Sequence, residues 1–149
     1  MDKDIASKWV IALRSGRYEQ GAGQLRRYGD FCVLGVLCDV HKTMAQIEPK
    51  ADAPVWNQGY GGHYQYWPDP ECDRDAASCT LPNAVKQWAG TKRNNPVIDT
   101  PLLHQRHGIK RSPITDLNDG TDNDGGLPNV VRLTFHQLAD LIEANYETL

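Results

Sequence analysis

No stretch of this chain approaches the ~20 consecutive apolar residues that a bilayer-spanning helix needs. The opening Met1-Asp2-Lys3-Asp4 lacks the charged-then-apolar layout of a secretory leader, so the four cysteines are expected to be reduced in a cytosolic setting. Basic residues are not in excess: 16 Lys and Arg stand against 19 Asp and Glu, for a net charge of -3. That balance argues against general nucleic-acid binding. The chain has no Cys-x-x-Cys pair, no Gly-Lys-Ser/Thr ending of a phosphate loop and no internal repeat. It does have 149 residues, 40% hydrophobic and 23% charged, the size and composition of a single globular domain over 1–149.

Periodicity places a helix from about Asp4 to Ser15, with Ile5, Trp9, Ala12 and Leu13 on one face. Asp2 or Asp4 can cap it, and Gly16 can end it. Asp30 is expected to cap a second helix from Phe31 to about Gln46, whose first half is apolar on every side and therefore buried. Pro49 to Thr80 reads as a long aromatic loop, with or without a short hairpin. Leu81, Val85 and Trp88 mark a third helix between Pro82 and Gly90. Val97-Ile98 and Ile109 are candidate short strands, and Asp116 to Gly126 reads as an Asp/Asn/Gly loop. The last helix carries a Thr134/Gln137 capping box and a Leu133/Leu138 staple. Phe135, Leu138, Ala139, Ile142 and Tyr146 line its apolar face. The expected fold is α+β, a mostly helical small domain with a minor short-stranded sheet and a long aromatic loop.

Two segments could hold a ligand. Arg14, Arg17, Arg26 and Arg27 interleave with Gly16, Gly21 and Gly23. Glycines let backbone amides converge on an anion, and arginines grip phosphate with a two-pronged fork. Tyr18 and Gln20 lie in the same stretch. In the aromatic loop, Trp56, Tyr60, Tyr64, Tyr66 and Trp67 offer faces on which a base could stack. The candidate ligand-binding set is therefore Arg14, Arg17, Tyr18, Gln20, Gly21, Gly23, Arg26, Arg27, Tyr64 and Trp67, provided the two segments meet in space. A solvated turn with surface arginines, and aromatics that close the core, explain the same residues without a ligand.

Metal and catalytic readings are weaker. Cys38 and His41 share a helix face, and Cys72 and Cys79 could complete four ligands, but the gaps match no common zinc knuckle. Cys32 and Cys38 read as small buried hydrophobes. Placing Gly125 at the sharp turn of a calcium loop puts Gly120 and Val131 at ligand positions, so that pattern fails. His63, His104, His107 and His136 form no zinc-protease spacing. No acid–base or nucleophilic set emerges, and no cofactor is indicated.

The residues from Trp9 to Gly21, with Ala12-Leu13-Arg14-Ser15-Gly16, Tyr18 and Gln20-Gly21, and then Leu34-Gly35-Val36-Leu37-Cys38-Asp39, resemble a family of small tailed-phage and prophage proteins of unassigned function. Leu81, Pro82, Val85, Trp88 and Gly90, then Leu117-Asn118-Asp119, and finally Phe135, Leu138, Ala139, Ile142 and Glu143 continue the likeness over nearly the whole chain. Phe31 stands where relatives often have cysteine, and Pro49 to Thr80 is longer and richer in aromatics than usual. The resemblance implies a phage accessory protein working in the host cytoplasm, and no reaction. The expected function is counter-defence: a non-enzymatic sponge for a nucleotide-derived immune signal, such as a cyclic nucleotide or an ADP-ribose derivative. A homo-oligomer interface would help to close a deep pocket. A protein-binding inhibitor of a host factor is the alternative, and a small nucleotide-acting enzyme the third.

Overall fold

The computed structural model describes residues 1–45, 53–71, 73–100, 105, 110–120 and 132–149. Helix α1 (Lys3–Arg14) starts one residue earlier than expected because Asp2 is its cap, accepting from the Asp4 and Ile5 amides at 2.9 and 3.0 Å. Its buried stripe includes Ala6, Trp9, Val10 and Leu13. Gly16, at φ 70°, turns the chain away from the end of the helix.

The region expected to begin the second helix is a hairpin instead. Strand β1 (Arg26–Arg27) pairs with β2 (Asp30–Phe31), Arg26 opposite Phe31. Asp30 is therefore a strand residue and caps nothing. Phe31 gains more in the extended form, where its ring packs edge-on against Tyr18 and Trp56 and its amide donates to the Glu19 carbonyl at 2.9 Å. Helix α2 (Val33–Ala45) begins two residues later. Cys32 takes the cap position, its Sγ accepting the Gly35 amide at 3.4 Å. The far end near Gln46 lies outside the described residues.

The aromatic segment contains the short hairpin that the sequence left open. Strands β3 (Val55–Gln58) and β4 (His63–Trp67) pair antiparallel, and β4 also pairs with β1, giving a sheet of order β2-β1-β4-β3. Helix α3 (Asn83–Ala89) runs from Pro82 to Gly90, as expected. Val97-Ile98 lies in β5 (Val97–Asp99), whose partner is β6 (Arg111–Pro113). Ile109 falls outside the described residues.

The first part of the expected Asp/Asn/Gly loop is helical. Residues Ile114–Asp119 form α4, with Gly120 at φ 69° closing it. Ile114, Leu117 and Asn118 are buried there, and that burial outweighs the turn preference of the Asp and Asn side chains. The remainder of that loop, with His104 and His107, lies outside the described residues. Helix α5 (Phe135–Asn145) shows the capping box at Thr134 and Gln137, and Leu133 and Leu138 both enter the core. The architecture is thus α+β: helices carry most of the core, and α1 packs against both α2 and α5. No helix among the described residues is long and apolar enough to cross a membrane.

Candidate functional site

The glycine–arginine segment does not present a free anion nest. Its polar groups turn inward onto a buried knot centred on Asn118, which is fully buried. Asn118 Oδ1 accepts from the Val33 amide at 3.2 Å and from Gln20 Nε2 at 3.1 Å, and its Nδ2 donates to the Gly21 carbonyl at 2.9 Å. Gln20 also donates to the Leu133 carbonyl at 2.8 Å and accepts from the Phe135 amide at 3.1 Å. The Gly23 amide is taken by Asp119 Oδ2 at 2.9 Å. One pair of side chains thus satisfies the starts of both α2 and α5, whose first amides have no partner within their helices.

Each member of the expected set can be placed. Arg14 sits on α1 and pairs with Asp140 and Glu143 of α5 at 2.5 and 2.8 Å. Those two hydrogen bonds raise its pKa further and point the guanidinium away from the rest of the set. Arg17 is exposed beside Tyr18. The Tyr18 hydroxyl donates to Asp39 Oδ2 at 2.9 Å, and burial, reinforced by that carboxylate, pushes its pKa up to about 12. Gln20, Gly21 and Gly23 belong to the knot. The two segments do meet at Arg26. Its guanidinium lies 4.3 Å from the Tyr64 ring centroid, 5.0 Å from Phe31 and 5.7 Å from Trp56. Arg27 and Trp67 do not join them, because alternate strand residues face opposite sides of a sheet. Arg27 lies over Tyr28 at 5.6 Å, and Trp67 donates weakly to Gln65 at 3.4 Å.

The box around Arg26 is braced from behind. Asp39 Oδ1 accepts from Trp56 Nε1 at 2.9 Å while Oδ2 holds Tyr18. Edge-to-face contacts then run from Trp56 to Tyr66, from Tyr66 to His41 and from His41 to Trp88, with centroids 4.8–6.0 Å apart. His41 Nδ1 meets the Tyr66 hydroxyl at 2.8 Å, and burial lowers the His41 pKa. Burial raises the Tyr66 pKa in the same cluster. The Arg26 side chain donates no hydrogen bond and forms no ion pair among the described residues, and its Nε is buried without a partner.

Cys32 and Cys38 are core residues, as their apolar setting suggests, and burial raises both thiol pKa values, Cys32 to about 12. Cys79 is exposed, and Cys72 lies outside the described residues. Among the described residues no three His, Cys, Asp or Glu side chains gather as metal ligands would.

Sequence reasoning missed Asn118, Asp39 and Phe31 as members of these two centres. Asp39 stands between the apolar residues Cys38 and Val40, and Asn118 follows Leu117 in the motif Leu117-Asn118-Asp119; a polar residue beside an apolar one was the available signal. The chain belongs to the family described as Domain of unknown function (DUF8296), which matches residues 1–146. No curated protein and no solved structure matches the chain.

Proposed function

We propose that this protein is a phage accessory protein that acts as a non-enzymatic binder of an anionic, nucleotide-derived signal, with Arg26 as the anchoring residue. The observation that supports the reading is the state of Arg26. Three aromatic faces hold its guanidinium in place, and no acceptor among the described residues uses its donors. A guanidinium held in place, with donors that no described side chain or carbonyl accepts, matches phosphate or carboxylate oxygens with little ordering cost. Tyr64 beside it offers a ring edge or face to a base. Arg14, Gln20, Gly21 and Gly23 leave the proposed site because their groups are engaged elsewhere. The site is part of an open sheet, so sequestration would draw a second wall from another copy of the chain.

The test is titration calorimetry with cyclic mononucleotides, cyclic dinucleotides and ADP-ribose. Arg26→Met keeps the aromatic packing and removes the charge. Binding that falls about 10–100-fold in Arg26→Met, with unfolding unchanged, supports the reading. Equal binding by the variant removes Arg26 as the anchor, and no binding by any of these ligands removes the nucleotide class.

Exposed Tyr28 and Tyr60 favour the second reading, a protein partner. Tyr60 is fully exposed and Tyr28 is 62% exposed, with Arg27 over its ring. Tyr28 is the one non-glycine residue at positive φ among those described, held by its amide on the Gly62 carbonyl at 2.7 Å. Rigid Tyr and Arg side chains on a surface suit a protein contact. Capture of a specific host protein that is lost in Tyr28→Ser with Tyr60→Ser would select this reading.

A further inference from the structure

Strand β3 (Val55–Gln58) ends the four-stranded sheet, and among the described residues no strand lies beyond it. We propose that this edge pairs antiparallel with the β3 edge of a second copy of the chain, which joins two sheets into one and extends the Arg26 face across a two-fold axis.

The hydrogen-bond pattern of β3 decides which groups are on offer. The Gly59 amide turns inward to the His63 carbonyl at 2.8 Å. Backbone groups alternate sides along an antiparallel pair, so Val55 and Asn57 also bond to β4, while Trp56 and Gln58 point theirs outward. Tyr66, opposite Trp56, agrees: its amide donates to Ala77 and its carbonyl accepts from Ala77, at 2.8 and 3.1 Å, on the far side of β4. A pairing centred on Asn57 sets Trp56 opposite the second copy's Gln58, and Gln58 opposite its Trp56. That register uses the N–H and C=O of both residues in both copies. Pro54, with no N–H to give, ends the ladder there.

The side chains fit the same occupant. Sheet edges are commonly guarded by lysine, proline or a bulge, and the strand Val55-Trp56-Asn57-Gln58 has none of these. Two copies therefore meet without charge repulsion. Val55 and Tyr60 are two of the four large hydrophobic residues exposed among those described, and they flank this edge at opposite ends. Antiparallel pairing sets Val55 opposite the second copy's Gly59, next to its Tyr60, so each exposed group meets the other by symmetry. Trp56 lies on the Arg26 side of the sheet, its ring 5.7 Å from the guanidinium, and Gln58 shares that side. The second copy's Gln58 then stands beside Trp56 and adds to the wall of the Arg26 site. This last role rests on Arg26 as the ligand anchor, whereas the strand pairing does not.

Sedimentation equilibrium of the ligand-free full chain, from about 10 to 500 μM, reads the pairing. The expected result is a reversible dimer with a dissociation constant in roughly the micromolar range, as suits a short edge. Asn57→Lys sets two like charges face to face at the axis and should weaken the dimer about ten-fold or more, with far-ultraviolet circular dichroism unchanged. Gln58→Pro removes an outward donor at a position where an edge strand tolerates proline, and serves should Asn57→Lys fold poorly. Opposed residues of a non-bonded pair have Cα atoms about 4.5 Å apart, within disulfide reach. In a Cys72→Ser, Cys79→Ser background, Asn57→Cys should therefore cross-link between copies under diamide, and Val55→Cys should not. A monomer throughout the range overturns the proposal. So does a dimer that both Asn57→Lys and Gln58→Pro leave unchanged, or cross-linking no faster at position 57 than at 55. Arg26→Met should dimerise as the wild type does. A chain that dimerises but takes no nucleotide loses the Arg26 reading and keeps this interface; one that takes a nucleotide as a monomer does the reverse.

Discussion

Replacing Gly35 by alanine tests the packing on which the whole domain depends. Gly35 lies inside α2 where the chain crosses Leu25, and a methyl group there would sit 2.6 Å from the Leu25 carbonyl carbon and overlap its oxygen. That carbonyl cannot swing aside, because it accepts the Cys32 amide at 3.1 Å while the Leu25 amide is held by Ser78 at 2.5 Å. Alanine would favour the helix itself by about 1 kcal/mol. Overpacking a rigid core costs about 1–3 kcal/mol and occasionally more, and a clash with anchored backbone belongs at the upper end. The net expectation is a loss of at least about 2 kcal/mol, a large part of the roughly 5–15 kcal/mol that holds a domain folded. In a chain of this length that lowers Tm by roughly 4–8 °C or more. Thermal and urea unfolding followed by far-ultraviolet circular dichroism measure it, with Thr43→Ala on the same helix as the control that should not lose stability. A Gly35→Ala protein as stable as the wild type would refute the close crossing of Leu25 over α2.

Other consequences are as direct. Asn118→Leu strands the Val33 amide, the Gly21 carbonyl and Gln20, so unfolding in urea should show a loss of more than about 3 kcal/mol; a change within about 0.5 kcal/mol would mean that the knot is not holding the helix starts. His41 is kept neutral by burial, so the unfolded chain binds a proton first as pH drops. Stability should be constant above the ordinary value of 6.5 and decline below it, and His41→Gln should flatten that decline in urea midpoints measured across the range. The Tyr18 phenol should ionise only near pH 12, above the ordinary value of 10.0, in a spectroscopic alkaline titration, and Asp39→Asn should bring it earlier. In a Cys72→Ser background a thiol reagent should label Cys79 in the native protein and reach Cys32 and Cys38 only on unfolding; native labelling of Cys38 would contradict its burial.

Much of the helical frame was legible because its signals are local. The Asp2 cap, the Pro82 and Gly90 punctuation and the Thr134/Gln137 box each depend on neighbours within a turn, and each appears where expected. The errors fall where distant contacts decide. Asp30-Phe31 looks like a helix start until β1 and the Tyr18 and Trp56 rings are there to pair with it. Asp116 to Asp119 looks like a turn until Leu117 and Asn118 are given a core to enter. The same limit applies to the candidate set. Arg26 and Tyr64 do meet, because β1 and β4 pair across a gap that no local rule spans. Gln20, Gly21 and Gly23 have the composition of an anion nest, yet their partners lie about a hundred residues further along the chain.

That separation has a kinetic meaning. Gln20 and Asn118 are 98 positions apart, and Gln20 and Leu133 are 113 apart. Until the chain has been made past Asn118, the Val33 amide at the head of α2 lacks its acceptor, and the Gln20 strap has nothing to fasten to. Closing so long a loop is entropically slow, and contacts of this span mark slow-folding topologies. On the ribosome, the head of α2 would therefore wait for its acceptor while more than half of the chain is still being translated, a state in which an unfinished core is open to chaperones.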